Sequence, residues 1–271
     1  VKPKTQPAAP AAPTLKTPDI AYVEIQLPSR GHLYGPTAVI KTPPIPEGRV
    51  QLRKMLIQED EILSSSGGSA LTRISKVLAR CARLPEGFDP EHLLVADRMF
   101  LLLSIRTHTF GPLYQIQFQC PECRHRNPKR PINIVEELSE KILSDEVHEP
   151  IDVKLPDLGV TVGIRLLRPQ DEHAVVRAAK DAEARGHSGT PIQDQLRQII
   201  VAIDGETVTN PVQRMDLVRQ FTAQDLVAIR EALDRHDFGV DTTIRPTCER
   251  CEAAVELDMP FGADFLRPAA R

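Results

Sequence analysis

Apolar and polar residues change period several times along the chain, and each change marks an expected element. Tyr22-Val23-Glu24-Ile25-Gln26-Leu27 alternates in steps of two and predicts a strand ending at Pro28. The glycines within Pro28–Pro36 predict a loop. Leu71, Ile74, Val77, Leu78 and Cys81 then recur at spacings of three and four, so Ser69 is read as the cap of a helix with one apolar face. Asp89-Pro90 has the form of a helix start, and the apolar residues through Leu93, Leu94, Phe100, Leu101 and Leu103 predict a buried helix. From Tyr114 the period returns to two: Tyr114, Ile116, Phe118 and Cys120 alternate, and Ile132 and Ile134 resume the pattern. This predicts a hairpin crowned by Cys120-Pro121-Glu122-Cys123. Ile151–Leu155 and Val160–Leu166 flank Gly159 as a second hairpin.

Helices dominate the expectation thereafter: over 170–185, over 192–203, from Asn210-Pro211, and from Thr222 with Leu226, Ile229 and Leu233 inward. Val240, Thr242 and Ile244 lead into Cys248-Glu249-Arg250-Cys251, and Val255, Leu257, Met259 and Phe261 lead out. The end of the chain thus repeats the design at Cys120. The expected fold is α+β, mixing helices with short antiparallel hairpins, and its two CxxC knuckles form a zinc-ribbon-like site. Three parts are expected. Residues 1–19, with five prolines among alanines, form a flexible arm; 20–113 form a strand, loop and helical region; 114–271 form a zinc-clasped α+β region with an inserted hairpin and helices.

Composition narrows the class. At 271 residues, 41% hydrophobic and 26% charged, the chain can bury a core and is not wholly disordered. No apolar run approaches the ~18 residues of a membrane span, and no apolar segment follows the first lysines as a secretory signal requires, so a reducing cytoplasm is the expected compartment. The net charge of −3 argues against a globally basic nucleic-acid coat. Charge is divided, however: residues 1–135 hold 18 Lys/Arg against 11 Asp/Glu and residues 136–271 hold 16 against 26, that is +7 and −10.

Four of the five cysteines form the two CxxC pairs. A borderline-soft dication such as zinc takes four tetrahedral donors, and each turn can offer two sulfurs and stabilise them with backbone N–H groups. Cys120, Cys123, Cys248 and Cys251 are therefore the expected ligands of one structural zinc, although residues 124–247 intervene where common ribbons have about 15 to 20. Two disulfides or two redox dithiols are the competing readings; a dithiol belongs at a strand-to-helix junction, not between strands. Cys81 reads as an ordinary buried thiol. Arg124, Arg126, Lys129 and Arg130 around the first knuckle form a candidate docking or nucleic-acid patch, and the absence of aromatic residues among them favours docking. Glu59-Asp60-Glu61 reads as a helix start. His32, His108, His125 and His236 are scattered, and no P-loop, HExxH, GxSxG, dinucleotide or deaminase signature occurs. No enzyme is expected.

Several segments together resemble a known family. They are Leu27-Pro28-Ser29-Arg30-Gly31-His32-Leu33-Tyr34-Gly35, Leu52-Arg53 with Glu59-Asp60-Glu61, Ala96-Asp97-Arg98 with Ile105-Arg106, and Gly111 leading to Tyr114 and the first CxxC. This ordered set resembles the T-even-like phage baseplate proteins of contractile tails, assigned to the central hub or its assembly. It covers roughly residues 20–140 well and the Cys248/Cys251 portion more loosely. The resemblance implies a noncatalytic virion component or assembly factor at the hub/wedge junction, made in the host cytoplasm, whose partners are other baseplate or tail proteins in a symmetric multi-copy assembly. The alternative is a zinc-ribbon nucleic-acid-binding protein using the basic loop at 124–130.

Overall fold

The structure, a computed structural model, describes residues 21–259 and 265–267; the expected arm over 1–19 and Phe261 lie outside the described residues. Strand β1 (Val23–Gln26) pairs antiparallel with β2 (Arg49–Leu52), and β2 with β3 (Ala82–Arg83). Helices α1 (Ile57–Ser64) and α2 (Ala70–Cys81) connect β2 to β3. The Thr72 N–H donates to Ser69 Oγ at 3.1 Å and Val77, Leu78 and Cys81 are buried, so α2 has the cap and the apolar stripe that its sequence predicts.

The helix expected from Asp89 through Leu103 is broken. Asp89 caps only a single 3-10 turn, Pro90–His92; Leu93 and Leu94 are extended, and α3 (Val95–Phe110) begins after them. The break buries both leucines completely and lets the Leu94 N–H donate to the Tyr34 hydroxyl at 2.8 Å, a tertiary gain absent from any local preference. Strands β4 (Leu113–Ile116) and β5 (Arg130–Asn133) form the expected hairpin. Ile134 does not continue it. Asn133 Oδ1 accepts the Val135 N–H at 3.1 Å and turns the chain into α4 (Ile134–Glu137), followed by β6 (Ser139–Lys141).

Strands β7 (Ile151–Lys154) and β8 (Thr161–Ile164) form the hairpin around Gly159, and α5 (Pro169–Ala184) and α6 (Pro191–Ile199) follow. The helix expected over 192–203 stops short. Ile200–Ile203 form β9, which pairs with β8, and β10 (Glu206–Thr207) completes a sheet of order β10-β9-β8-β7. The β-branched run here is a poor helix former, and the edge of β8 offers it a hydrogen-bonded ladder. Asn210 and Thr222 cap α7 (Pro211–Val218) and α8 (Ala223–Arg235) as expected. Strand β11 (Gly239–Asp241) pairs with β6, and β12 (Thr243–Ile244) with β13 (Leu257–Asp258). The fold is α+β, with eight α-helices among the described residues.

Its two halves repeat one unit. Hairpin β1–β2, helix pair α1–α2, return strand β3, helix α3 and hairpin β4–β5 recur as β7–β8, α5–α6, β9, α8 and β12–β13. Local chemistry recurs too. Arg53 and Arg165 follow β2 and β8; each grips a carboxylate six residues on (Glu59 or Asp171) through both terminal nitrogens and also donates to the carbonyl of its own successor. Glu59, Asp97, Asp171 and Asp225 each stand third in their helix (α1, α3, α5, α8) and all are buried. There a carboxylate meets unpaired first-turn N–H groups and the positive end of the helix dipole. The Ser29 N–H donates to Asp97 at 3.0 Å; in the other half the Asp157 N–H donates to Asp225 at 3.0 Å. Leu27-Pro28 precedes the first donor and Leu155-Pro156 the second.

A continuous apolar core includes residues of both repeats, from Leu27 to Leu266. The Val95 N–H donates to Leu167 O at 3.0 Å and the Leu143 N–H to Pro28 O at 3.0 Å, tying the halves together. Gly239 (φ 104°) packs so closely on α3 that a Cβ would stand 2.8 Å from Ala96 Cβ; only glycine fits this approach.

Candidate metal centre

Each cysteine pair sits on a turn built by the same backbone bonds. In the first, the Cys120 N–H donates to His125 O and the Arg124 N–H to Cys120 O, both at 2.9 Å. In the second, the Cys248 N–H donates to Ala253 O at 2.9 Å and the Glu252 N–H to Cys248 O at 3.0 Å. Arg124 (φ 56°) and Glu252 (φ 60°) take the left-handed conformation at matching places, which reverses the chain and leaves both sulfurs of each pair on one side. Bridges Gln119–Arg126 and Thr247–Ala254 close the turns. Within the first repeat, the buried Arg106 of α3 donates to the carbonyls of Gly111 and Leu113 and so fixes where its hairpin starts.

The turns meet. Cys120 Sγ lies 3.7 Å from Cys251 Sγ and Cys123 Sγ 3.7 Å from Cys248 Sγ, and all four sulfurs lie within 4.8 Å of one another. The first cysteine of each turn faces the second of the other, which is the pattern of a local two-fold axis. A tetrahedron with metal–sulfur arms of about 2.3 Å has edges of about 3.8 Å, so the donor set fits such an ion. All five cysteines are free thiols, and Cys81 is buried on α2 away from this cluster, as expected.

Electrostatics within the cluster are uneven. Burial pushes the Cys248 thiol up, but the N–H groups of Cys251 and Arg250, the Asn127 amide and Cys123 outweigh it and hold the thiol at about 6. The Ala253 N–H favours the Cys251 thiolate, yet Cys123, burial, Cys120 and Cys248 together push that thiol up to about 12.

Asn127 is a site residue that motif reading missed. Fully buried beside the first turn, it donates Nδ2 to Cys248 Sγ at 3.7 Å and accepts the Glu249 N–H on Oδ1 at 2.9 Å. Its counterpart in the second repeat is the apolar Val255, so the support runs one way. An amide that close to a CxxC, flanked by charged residues, was the available signal. The candidate basic patch is divided: Arg124, Arg126 and Lys129 are exposed, whereas Arg130 donates to Thr247 O at 3.0 Å and lies 5.4 Å over the Phe118 ring. Arg130 thus helps join the turns.

A family model described as T4 bacteriophage base plate protein matches residues 36–266, a span that starts just after Gly35 and includes all four clustered cysteines. Among curated proteins and solved structures, none matches the chain. No helix among the described residues is long and apolar enough to cross a membrane. With the match extending over both repeats and both cysteine turns, the chain belongs to the T4 bacteriophage base plate protein family.

Proposed function

We propose that the chain is a noncatalytic structural component or assembly factor at the hub/wedge junction of a contractile tail baseplate, stabilised by one structural zinc per chain. The observation that carries the metal reading is the convergence of four sulfurs from turns far apart in sequence. Cys120, Cys123, Cys248 and Cys251 would hold the ion, and four thiolates leave no open position for a substrate. What the ion supplies is a cross-link between the repeats and neutralisation of sulfurs that otherwise repel. The partners in this reading are other baseplate proteins in a symmetric multi-copy assembly, and the protein resides in the virion tail after synthesis in the host cytoplasm. Exposed Arg124, Arg126 and Lys129 serve as a docking patch. The nucleic-acid alternative gains no support, because Arg130 is engaged within the protein and the second knuckle presents Glu249 and Glu252.

Elemental analysis of reduced, dialysed full-length chain should return one zinc per chain; a metal-free, folded protein would sink the zinc reading. A map of tail particles should locate the chain between hub and wedge subunits. Density for it elsewhere in the tail would remove the junction assignment.

A further inference from the structure

The repeats differ most usefully at the carboxylate that opens their first helix. In the first repeat Glu59 accepts from Arg53 and also from Arg80 Nε at 2.6 Å, while Arg80 reaches Gln58 as well. Arg80 precedes the residue at the end of α2, and its counterpart at the end of α6 is Gln198. Where Arg80 bonds Glu59 in the first repeat, Gln198 of the second lines an open cleft of about 420 Å³ beside Asp171.

The cleft is cationic. Asp171 is saturated: Arg165 takes both of its oxygens at 2.7 Å, and the Arg168 N–H takes Oδ2 at 2.9 Å. Arg177 and Arg214 also line the cleft, and neither has a carboxylate within ion-pair distance among the described residues. Arg214 donates only to the carbonyls of Ile200 and Thr209, and its buried Nε has no partner among the described residues. Burial and the nearby charges of Arg165 and Arg197 hold its pKa below the usual arginine value. The half-buried Gln170 and Gln198 add amides to the lining, and Val39 and Ile40 of the first repeat form an apolar flank.

We infer that this cleft receives an acidic side chain of a neighbouring protein, with Arg177 and Arg214 as the binding pair and Gln170 and Gln198 as supporting donors. Guanidinium forks match carboxylates, and burial strengthens such bonds. An acidic polypeptide fits better than nucleic acid: the charge is gathered in a concave site with an apolar flank, and no aromatic ring lines it for base stacking. The inference rests on the baseplate reading only in supposing protein neighbours; the chemistry is independent of it.

Fluorescently labelled hexaglutamate titrated into the full-length, metal-loaded chain tests this. Saturable binding is expected, at least about tenfold weaker in Arg177→Glu, whose new carboxylate supplies the cleft from within. Arg177 is exposed on α5, so an unchanged melting temperature will show that this variant folds. Arg214→Gln should weaken binding as well, and Arg230→Glu at an exposed position of α8 outside the cleft should not. Equal affinity in the wild type and Arg177→Glu overturns the inference. So does inorganic phosphate that binds this cleft more tightly than the peptide, which would make it a free-oxyanion site. Failure of the tail map with success of this titration would discard the junction assignment and leave the cleft standing.

Discussion

Asp97 and Asp225 hold the same place in the two repeats, third in a long helix and fully buried, yet their surroundings drive them in opposite directions. Burial pushes Asp97 up to about 6 and outweighs what opposes it: the Ser29 side chain, the Tyr34 hydroxyl at 2.6 Å, the Ser29 N–H at 3.0 Å and the charge of Arg168. Burial pushes Asp225 the same way but loses to N–H groups of Thr222, Asp157 and Leu158 and to the Thr222 hydroxyl, so its pKa is lowered. The scaffold determines where the carboxylate sits. The balance between burial and its donors determines its charge.

The largest expected effect comes from cutting the cysteine cluster that the two repeats build together. Cys248→Ser should lower stability by more than about 3 kcal/mol, since structural zinc contributes about 10–16 kcal/mol in small metal-dependent domains. Chelation of the wild type should reproduce that loss in urea melts. If neither treatment moves the transition, the repeats hold together without the metal.

Next in size is the linker between repeats. Glu149 pairs with the fully buried Arg168 at 3.0 Å, so Glu149→Gln should cost about 3–5 kcal/mol by leaving a buried cation unpaired. Equilibrium unfolding that shows under about 1 kcal/mol would mean that Arg168 reaches water or another acceptor in the variant.

The paired aspartates give the sharpest contrast. Asp97 binds its proton more tightly folded, about 6, than at its ordinary 3.8, so its effect on stability is favourable at low pH and declines as pH rises from about 4 to 6. Asp97→Asn should flatten that decline, worth up to about 3 kcal/mol. Asp225 is the reverse case: its lowered pKa contributes stability above the ordinary 3.8, lost as pH falls further. Asp225→Asn should therefore weaken the protein at neutral pH and flatten the acid limb. Identical pH profiles for the two variants would show that the environments do not differ as described.

The smallest effect probes the one-way support at the sulfurs. Asn127→Ala should cost about 1 kcal/mol and weaken metal retention about tenfold in a competition with a chelating dye. Unchanged retention would leave the amide with a purely structural part.

Much of this was readable residue by residue. Ser69, Asn210 and Thr222 announced their helices because a cap acts within one turn, and the CxxC hairpins showed in alternation on either side of each turn. The four cysteines that cluster were legible from the two CxxC spacings between strands, a pattern that offers paired sulfurs. The break at Leu93-Leu94 and the strand Ile200–Ile203 were not, because each depends on a partner far along the chain: the Tyr34 hydroxyl for one, the edge of β8 for the other. The repetition beyond the knuckles leaves only sparse traces in the sequence, Leu27-Pro28 with Leu155-Pro156 and Phe110-Gly111 with Phe238-Gly239.

The sequence by itself determined the local elements with strong caps or regular periods, the α+β class, and the residues able to bind a metal. Only the tertiary structure decided that the halves are copies of one unit, that their cysteine turns meet across a two-fold relation, and that the second copy holds an arginine-lined cleft. Periodicity and capping act over a few residues and can be read along a line. Which groups converge depends on how packed elements share buried surface and donors, and that is settled only when the chain has folded.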